Sequence, residues 1–330
     1  MGISKRNDPA IHLYSLEFGQ SLSVNLDSFQ PVKNSWANYV LGVVAQFIKR
    51  GYPIKGFNLV FDGDVPIGSG LSSSAAVECA VAFALNQVFE LKIPSMELAF
   101  IAQKAEHEFA GVMCGIMDQF ASVFGKKDHV IKLDCRSMDY EYLPLAIEGY
   151  KIVLLNTNVK HSLASSEYNT RRNQCEEGVA IIKKFEPDVN SLRDITLEML
   201  DKYVRKNELV YQRCHFVVKE NLRLLEATRH LKNGELKILG QLMYQSHEGL
   251  SREYEVSCKE LEFLVDQIKT KTGVLGARMM GGGFGGCTIN IIKDENLESI
   301  LSEIIPAYNK TMNLNLSVYV VQTDDGAGET

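Results

Sequence analysis

Apolar and polar positions alternate with period two over residues 11–26, IHLYSLEFGQSLSVNL, which predicts two short strands around Gly19 and Gln20. The period then changes. In NSWANYVLGVVAQFIKRG (34–51), Val40, Val43, Val44, Phe47 and Ile48 share one helical face, Ser35 is placed to cap the start and Gly51 to stop the end. KGFNLVFDGD returns to a strand pattern, with Phe57, Leu59 and Phe61 on one side. The stretch DGDVPIGSGLSSSAAVECAVAFAL (62–85) carries a strand-to-helix junction whose helix runs to about Glu90. After Pro94 the spacing predicts a helix over roughly 95–110, ending near Gly111, and then strands in HVIKLDC and YEYLPL.

YKIVLLNT (150–157) is a continuous apolar run bounded by polar residues and predicts a buried strand. Helical periodicity dominates beyond it, near 165–185, 208–231, 235–250 and 255–272. GGCTINIIK and LSVYVVQT are the closing strands, with a helix near 294–309 between them. This order of elements predicts an α+β chain rather than an alternating βα chain. The division falls near 148–155, giving domains 1–149 and 150–330, with no Pro/Gly/Ser linker to mark it and no internal repeat.

Composition narrows the classes. A chain of 330 residues is long enough for two domains with sizeable cores. The net charge of −6 argues against a general binder of nucleic acid or anionic membrane, though not against a local positive pocket. Cys79, Cys114, Cys135, Cys175, Cys214, Cys258 and Cys287 are odd in number and dispersed, which fits reduced thiols and offers no zinc or disulfide framework. The N-terminal segment has no apolar signal region, and the longest apolar stretch, 75–89, is broken by Glu78, Asn86 and Gln87. The expectation is a cytoplasmic protein with no nucleic-acid and no membrane partner.

Three places could carry chemistry. At the 62–85 junction, Gly68 and Gly70 let backbone approach a ligand, and Ser72, Ser73 and Ser74 add hydroxyls to a helix N-terminus, a plausible phosphate cradle. It is neither a Walker A loop nor a dinucleotide fingerprint. A Ser-capped buried helix with a glycine turn explains the same residues equally well. In GARMMGGGFGGCTI, five of the six residues 281–286 are glycine, which implies a ligand-facing or loop-packing role. In AEHEFAGVMCGIMDQF, Glu106 and Asp118 lie twelve residues apart and could serve as Mg²⁺ ligand and general base, against the ordinary reading of solvated surface acids.

Taken together, PIGSGLSSSA, GIMDQF and MGGGFGG resemble the galactokinases, within the GHMP small-molecule kinases. SEYNTRR (166–172), WANYVLGVV (36–44) and TDDGAG (323–328) extend the likeness over nearly the whole chain. The resemblance implies the two-domain GHMP-kinase architecture with the active site in the cleft between an N-terminal and a C-terminal GHMP-kinase domain. It also implies ATP and Mg²⁺ as cofactors, galactose and ATP as small-molecule substrates, and a monomeric chain. The reaction would be ATP-dependent phosphorylation of the D-galactose C1 hydroxyl, giving galactose 1-phosphate and ADP. By the same resemblance Gly68, Ser69, Gly70, Leu71, Ser72, Ser73 and Ser74 form the loop over the ATP phosphates. Ser74 and Glu106 are the Mg²⁺ ligands, Asp118 the catalytic base, and Gly115, Asp118 and Tyr168 sugar contacts. Trp36, the single tryptophan, matches the adenine pocket, while a plain core tryptophan remains an equal alternative.

The likeness is incomplete. Galactokinases open with a first motif, Gly-Arg-x-Asn-Leu-Ile-Gly-Glu-His-x-Asp, which places a cation near the base and holds sugar hydroxyls; this sequence does not contain it. Arg6 does not match that cation, and Arg171, Arg172 and Arg278 read as structural or surface residues. From this, weakened sugar affinity and rate, and an exposed sheet edge, are expected of a chain of this extent, the alternative being a fragment or a start codon that lies upstream. Other readings are a kinase for N-acetylgalactosamine or another sugar, and a non-catalytic sensor of sugar and ATP.

Overall fold

The structure, a computed structural model, describes residues 1–33, 35–67, 69–159 and 164–329. The chain divides into two compact units, one of Met1–Tyr142 with Thr323–Thr330, the other of Leu143–Gln322. Among the described residues no helix is long and apolar enough to cross a membrane.

The first unit opens with strands β1 (Gly2–Lys5), β2 (Ala10–Ser15) and β3 (Gln20–Asn25), helix α1 (Ala37–Lys49) and strand β4 (Phe57–Phe61). Helices α2 (Ser73–Val88), α3 (Ser95–Ala105) and α4 (Met117–Phe124) follow. The four strands form one sheet in the order β1-β4-β2-β3. β2 and β4 run parallel with Ile11 opposite Phe57 and Leu13 opposite Leu59. That register puts Ile11, Leu13, Phe57, Leu59 and Phe61 on one buried face, where Val40, Val43, Val44 and Phe47 of α1 join them. The strand and helix periods of the sequence thus meet in one core. β5 (His129–Leu133) and β6 (Tyr140–Pro144) form a separate two-stranded sheet.

The second unit begins with β7 (Tyr150–Asn156), α5 (Ala164–Lys183), α6 (Leu197–Tyr203), α7 (Glu208–Lys232), α8 (Leu236–Arg252) and α9 (Lys259–Lys269). β8 (Val274–Met279), β9 (Cys287–Lys293), α10 (Leu297–Met312) and β10 (Ser317–Val321) complete it. Its sheet is ordered β10-β7-β9-β8 with antiparallel neighbours. β7 lies inside it, so Val153, Leu154, Leu155 and Asn156 are all buried, the unbroken apolar run of its sequence. α8 rides directly on β8. A Cβ on Gly240 would stand 1.9 Å from the Leu275 carbonyl oxygen, and one on Gly276 would stand 2.5 Å from the Gly240 Cα.

Some elements depart from the sequence expectation. Ile48, expected on the buried face of α1, is 42% exposed, because the last turn of α1 runs past the core with Lys49 and Arg50. The helix expected over 95–110 is α-helical only to Ala105 and then widens into a π-helical turn, Glu106–Ala110. α2 stops at Val88, and Glu90 and Lys92 take left-handed backbone beyond it. β1, β8, α4 and α6 were not marked by the sequence pattern: each is short, and Gly276 interrupts the β8 pattern.

The Gly240–Gly276 contact makes a stability prediction. Gly240→Ala must push α8 off β8 and should cost about 1–3 kcal/mol, the usual range for overpacking. A urea midpoint unchanged from the parent would contradict the close packing.

Candidate functional site

The N-terminus of α2 is shaped by its small residues. Ser69 is fully buried; its hydroxyl donates to the Pro66 carbonyl at 2.7 Å and accepts the Leu71 N–H at 3.3 Å. Gly70 has φ 80°, and Ser72 takes left-handed backbone, φ 56°, ψ 49°, uncommon for a residue with a Cβ. The Ser72 carbonyl accepts the first helical bond, from Ala76 N at 3.1 Å, yet no side chain caps the helix. First-turn N–H groups are therefore not consumed by the serines. The serine hydroxyls point elsewhere: Ser72 Oγ donates to Asp118 Oδ2 at 2.7 Å and Ser74 Oγ to Glu106 Oε1 at 3.1 Å. Gly68, expected in this loop, lies outside the described residues.

Glu106 opens the π-helical turn that ends at Gly111, which has φ 75°. Such turns are rare and concentrate at functional sites. Its carboxylate is 8% exposed, with the two oxygens divided between partners. Oε1 faces Ser74, whereas Oε2 accepts Gln119 Nε2 at 2.8 Å and the Cys114 thiol at 3.4 Å. Burial pushes Cys114 up to about 12, so it stays a thiol and a donor. Glu78, on the same face of α2 one turn after Ser74, is fully buried beside Glu106 and accepts Gln119 Nε2 at 3.4 Å. Burial, and then the Glu106 charge, push its carboxyl up to about 9. Glu78 Oε1 and Gln119 Oε1 are buried without a hydrogen-bond partner among the described residues.

Asp118 occupies the first turn of α4, half-buried, where the helix dipole favours a carboxylate. Ile116 and Phe120 anchor this helix in a small apolar cluster, and the TDDGAG segment holds its far end. Gly326 N donates to the Gly125 carbonyl at 2.9 Å and Ala327 N to the Ser122 carbonyl at 2.8 Å. Thus Ser72, Ser74, Glu106 and Asp118, predicted from two separate stretches, are joined by hydrogen bonds within one unit. Glu78 and Gln119 belong to the same network and were missed. Their signals were a lone acid in an apolar helix, four residues after Ser74, and an amide beside the predicted base.

The remaining candidates have surroundings of their own. Trp36 is half-buried; it donates from Nε1 to Gln20 Oε1 at 3.1 Å, stacks on Phe18 at 6.5 Å and meets the Phe61 ring edge-on at 5.4 Å. Gly115 is exposed, and nothing lies within 4 Å of a Cβ placed on it. Tyr168, in the second unit, is 44% exposed near the start of α5, 3.7 Å from where a Cβ of Gly282 would stand. The 281–286 run is a packed loop. Gly283 has φ 86° and its Cβ would fall 2.1 Å from the Val256 carbonyl oxygen, which accepts Phe284 N at 2.7 Å. Thr157 N donates to the Gly286 carbonyl at 2.9 Å. Arg171 ties α5 to the Tyr254 and Glu255 carbonyls, Arg172 pairs with Glu176 on the surface, and Arg278 donates to the Met279 carbonyl. Arg6 pairs with Asp8.

Residues 38–126 match the family model for the GHMP kinases N terminal domain, and residues 224–310 that for GHMP kinases C terminal. The galactokinase of Thermotoga maritima is 45% identical over 293 residues, covering 89% of this chain and 81% of that protein. The galactokinase of Bacillus subtilis is 40% identical over 333 residues, covering 99% of this chain and 85% of that protein. The crystal structure of Lactococcus lactis galactokinase complexed with galactose is similar at a TM-score of 0.94 and 35% identity, covering 99% of this chain and 86% of that one.

The buried Glu78 carboxyl predicts a pH-dependent stability in metal-free buffer. Its value in the folded chain, about 9, stands above the ordinary 4.5, so folding retains a proton that the unfolded chain releases. Stability should therefore fall as pH rises from about 4.5 towards about 9, by at most about 1.4 kcal/mol per pH unit. Glu78→Gln removes this slope and keeps an acceptor for Gln119. Urea midpoints of the two chains at pH 6 and pH 8 should diverge, with the variant gaining at the higher pH; parallel pH profiles would refute the assignment.

Proposed function

This chain belongs to the galactokinases of the GHMP kinase family, and we propose that it transfers the terminal phosphoryl group of ATP to the C1 hydroxyl of D-galactose, giving galactose 1-phosphate and ADP. The observation that carries the reading is the junction of the α2 N-terminus with Asp118 and Glu106. Phosphoryl transfer passes through a loose transition state, so catalysis rests on positioning and on charge neutralisation. The uncapped N–H groups of α2, with Ser69–Ser74, would receive the phosphates. Trp36, with Phe18 and Phe61 beside it, would offer a stacking surface to the adenine ring.

Asp118 is the proposed base. Ser72 occupies its Oδ2, which leaves Oδ1 to orient the sugar C1 hydroxyl and accept its proton. The open space above Gly115, three residues earlier, admits the sugar without a side chain in the way. Tyr168 is a proposed sugar contact on the family likeness of SEYNTRR.

A divalent cation fits the residues present. The Ser74 hydroxyl and the Glu106 carboxylate face each other at 3.1 Å, a hard oxygen pair suited to Mg²⁺, whose other positions water and phosphate complete. When bound, Mg²⁺ supplies charge neutralisation at the phosphates.

Two measurements test the reading. Galactose-dependent ADP release, with the product identified by NMR, should be lowered about 10²–10⁴-fold in kcat by Asp118→Asn with ATP affinity retained. Turnover with N-acetylgalactosamine in place of galactose would move the substrate assignment, and binding of sugar and ATP without turnover would favour a sensor. Trp36 is the only tryptophan, so its fluorescence should respond to ATP and not to galactose alone. A signal indifferent to ATP would remove Trp36 from the nucleotide pocket.

A further inference from the structure

Gln119 is the most constrained polar side chain near the proposed base, and the roles above leave it unused. It is 1% exposed. Its Nε2 donates to Glu106 Oε2 at 2.8 Å and reaches Glu78 Oε2 at 3.4 Å and Cys114 Sγ at 3.7 Å, with Glu106 the shortest contact. Its Oε1 is buried with no hydrogen-bond partner among the described residues. Reversing the amide would aim that oxygen at the Glu106 carboxylate oxygen, so the 2.8 Å contact fixes the orientation. An orphaned buried carbonyl is costly, and an apolar side chain of similar size would avoid it. The cost is tolerated here because the amide hydrogens are needed.

We infer that Gln119 is a positioning residue for the divalent-cation site: it holds Glu106 by Oε2 so that Oε1 is presented beside Ser74. The inference rests on the kinase reading above. Geometry gives the amide a second consequence. Gln119 follows Asp118 directly, and its own carbonyl accepts the Cys79 thiol of α2 at 3.5 Å. One residue therefore fixes the start of α4, which carries the base, against both α2 and the π-helical turn. The spacing between Asp118 and Glu106 depends on it. An amide is the side chain that suits this place: a carboxyl would add like charge to the pair, and an apolar chain would leave Glu106 held only by Ser74 and Cys114.

The test is a double-mutant cycle read by binding. Calorimetry measures the affinity of the full chain for the non-hydrolysable ATP analogue AMPPNP with and without Mn²⁺, and the ratio is the gain due to the cation. Gln119→Met keeps the volume and removes the donors; it should reduce that gain about 10–100-fold, the usual effect of losing a partner of a metal ligand. Metal-free AMPPNP affinity should stay within about twofold. In a Glu106→Gln background the same substitution should change the gain by less than about twofold, because its effect runs through Glu106. Equal losses in both backgrounds, or none in either, would overturn the inference. If Gln119→Met does not fold, Gln119→Asn is measured instead, since it withdraws the amide by one methylene, with the same expected direction. A parent chain with no Mn²⁺ gain would defeat the cation reading and this inference together. A parent gain abolished by Glu106→Gln but untouched by Gln119→Met would defeat the inference alone.

Discussion

Two carboxyl groups buried side by side impose the strongest constraint on the first unit. Glu78 is 0% exposed and Glu106 is 8% exposed, so both carboxyl groups depend on protein partners more than on water. Neighbouring like charges disfavour one another, and the site resolves this in two ways: Glu78 keeps its proton, and donors gather on Glu106. The donors come from different segments. Ser74 is on α2, Cys114 lies in the loop before α4, and Gln119 is on α4 itself. To satisfy one carboxylate, the chain has to bring all three segments and the π-helical turn to a common point. Asp118 is carried there with them.

Much of the fold was legible because burial and periodicity agree. The alternation in β2, β3 and β4 and the apolar stripe of α1 describe the two sides of one core, and β7 reads as an unbroken apolar run because it is covered on both faces. What escaped was either short or conditional on the tertiary setting. β8 needs Gly276 for the approach of α8, and that glycine obscures the strand pattern. The widening of α3 at Glu106 leaves no periodic signature, since one inserted residue does not disturb the apolar face before it.

The site was legible in part, for a different reason. Chemistry needs particular residue types, so serines, glycines and acids at a strand-to-helix junction stand out. Sequence alone left phosphate binding and helix packing equal at Ser72–Ser74; the bonds to Asp118 and Glu106, with no cap on the helix, favour the first. At 281–286 the backbone bonds of Phe284 to Val256 and of Gly286 to Thr157 support packing for those two residues, while Gly281 and Gly282 are exposed. Glu78 and Gln119 stayed hidden because their meaning is relational. A buried acid or amide in an apolar stretch acquires a role only when its neighbour in space is known.

The placement of residues 323–329 has a consequence for synthesis. They bond to α4 through Gly125 and Ser122, yet leave the ribosome after the whole of the second unit, which begins at Leu143 and ends at Gln322. The first unit is thus discontinuous along the chain, and its last piece arrives late. While the nascent chain grows, the helix bearing Asp118 is already made but lacks the segment that grips its far end. Vectorial synthesis therefore delays completion of that helix's setting until both units have been translated.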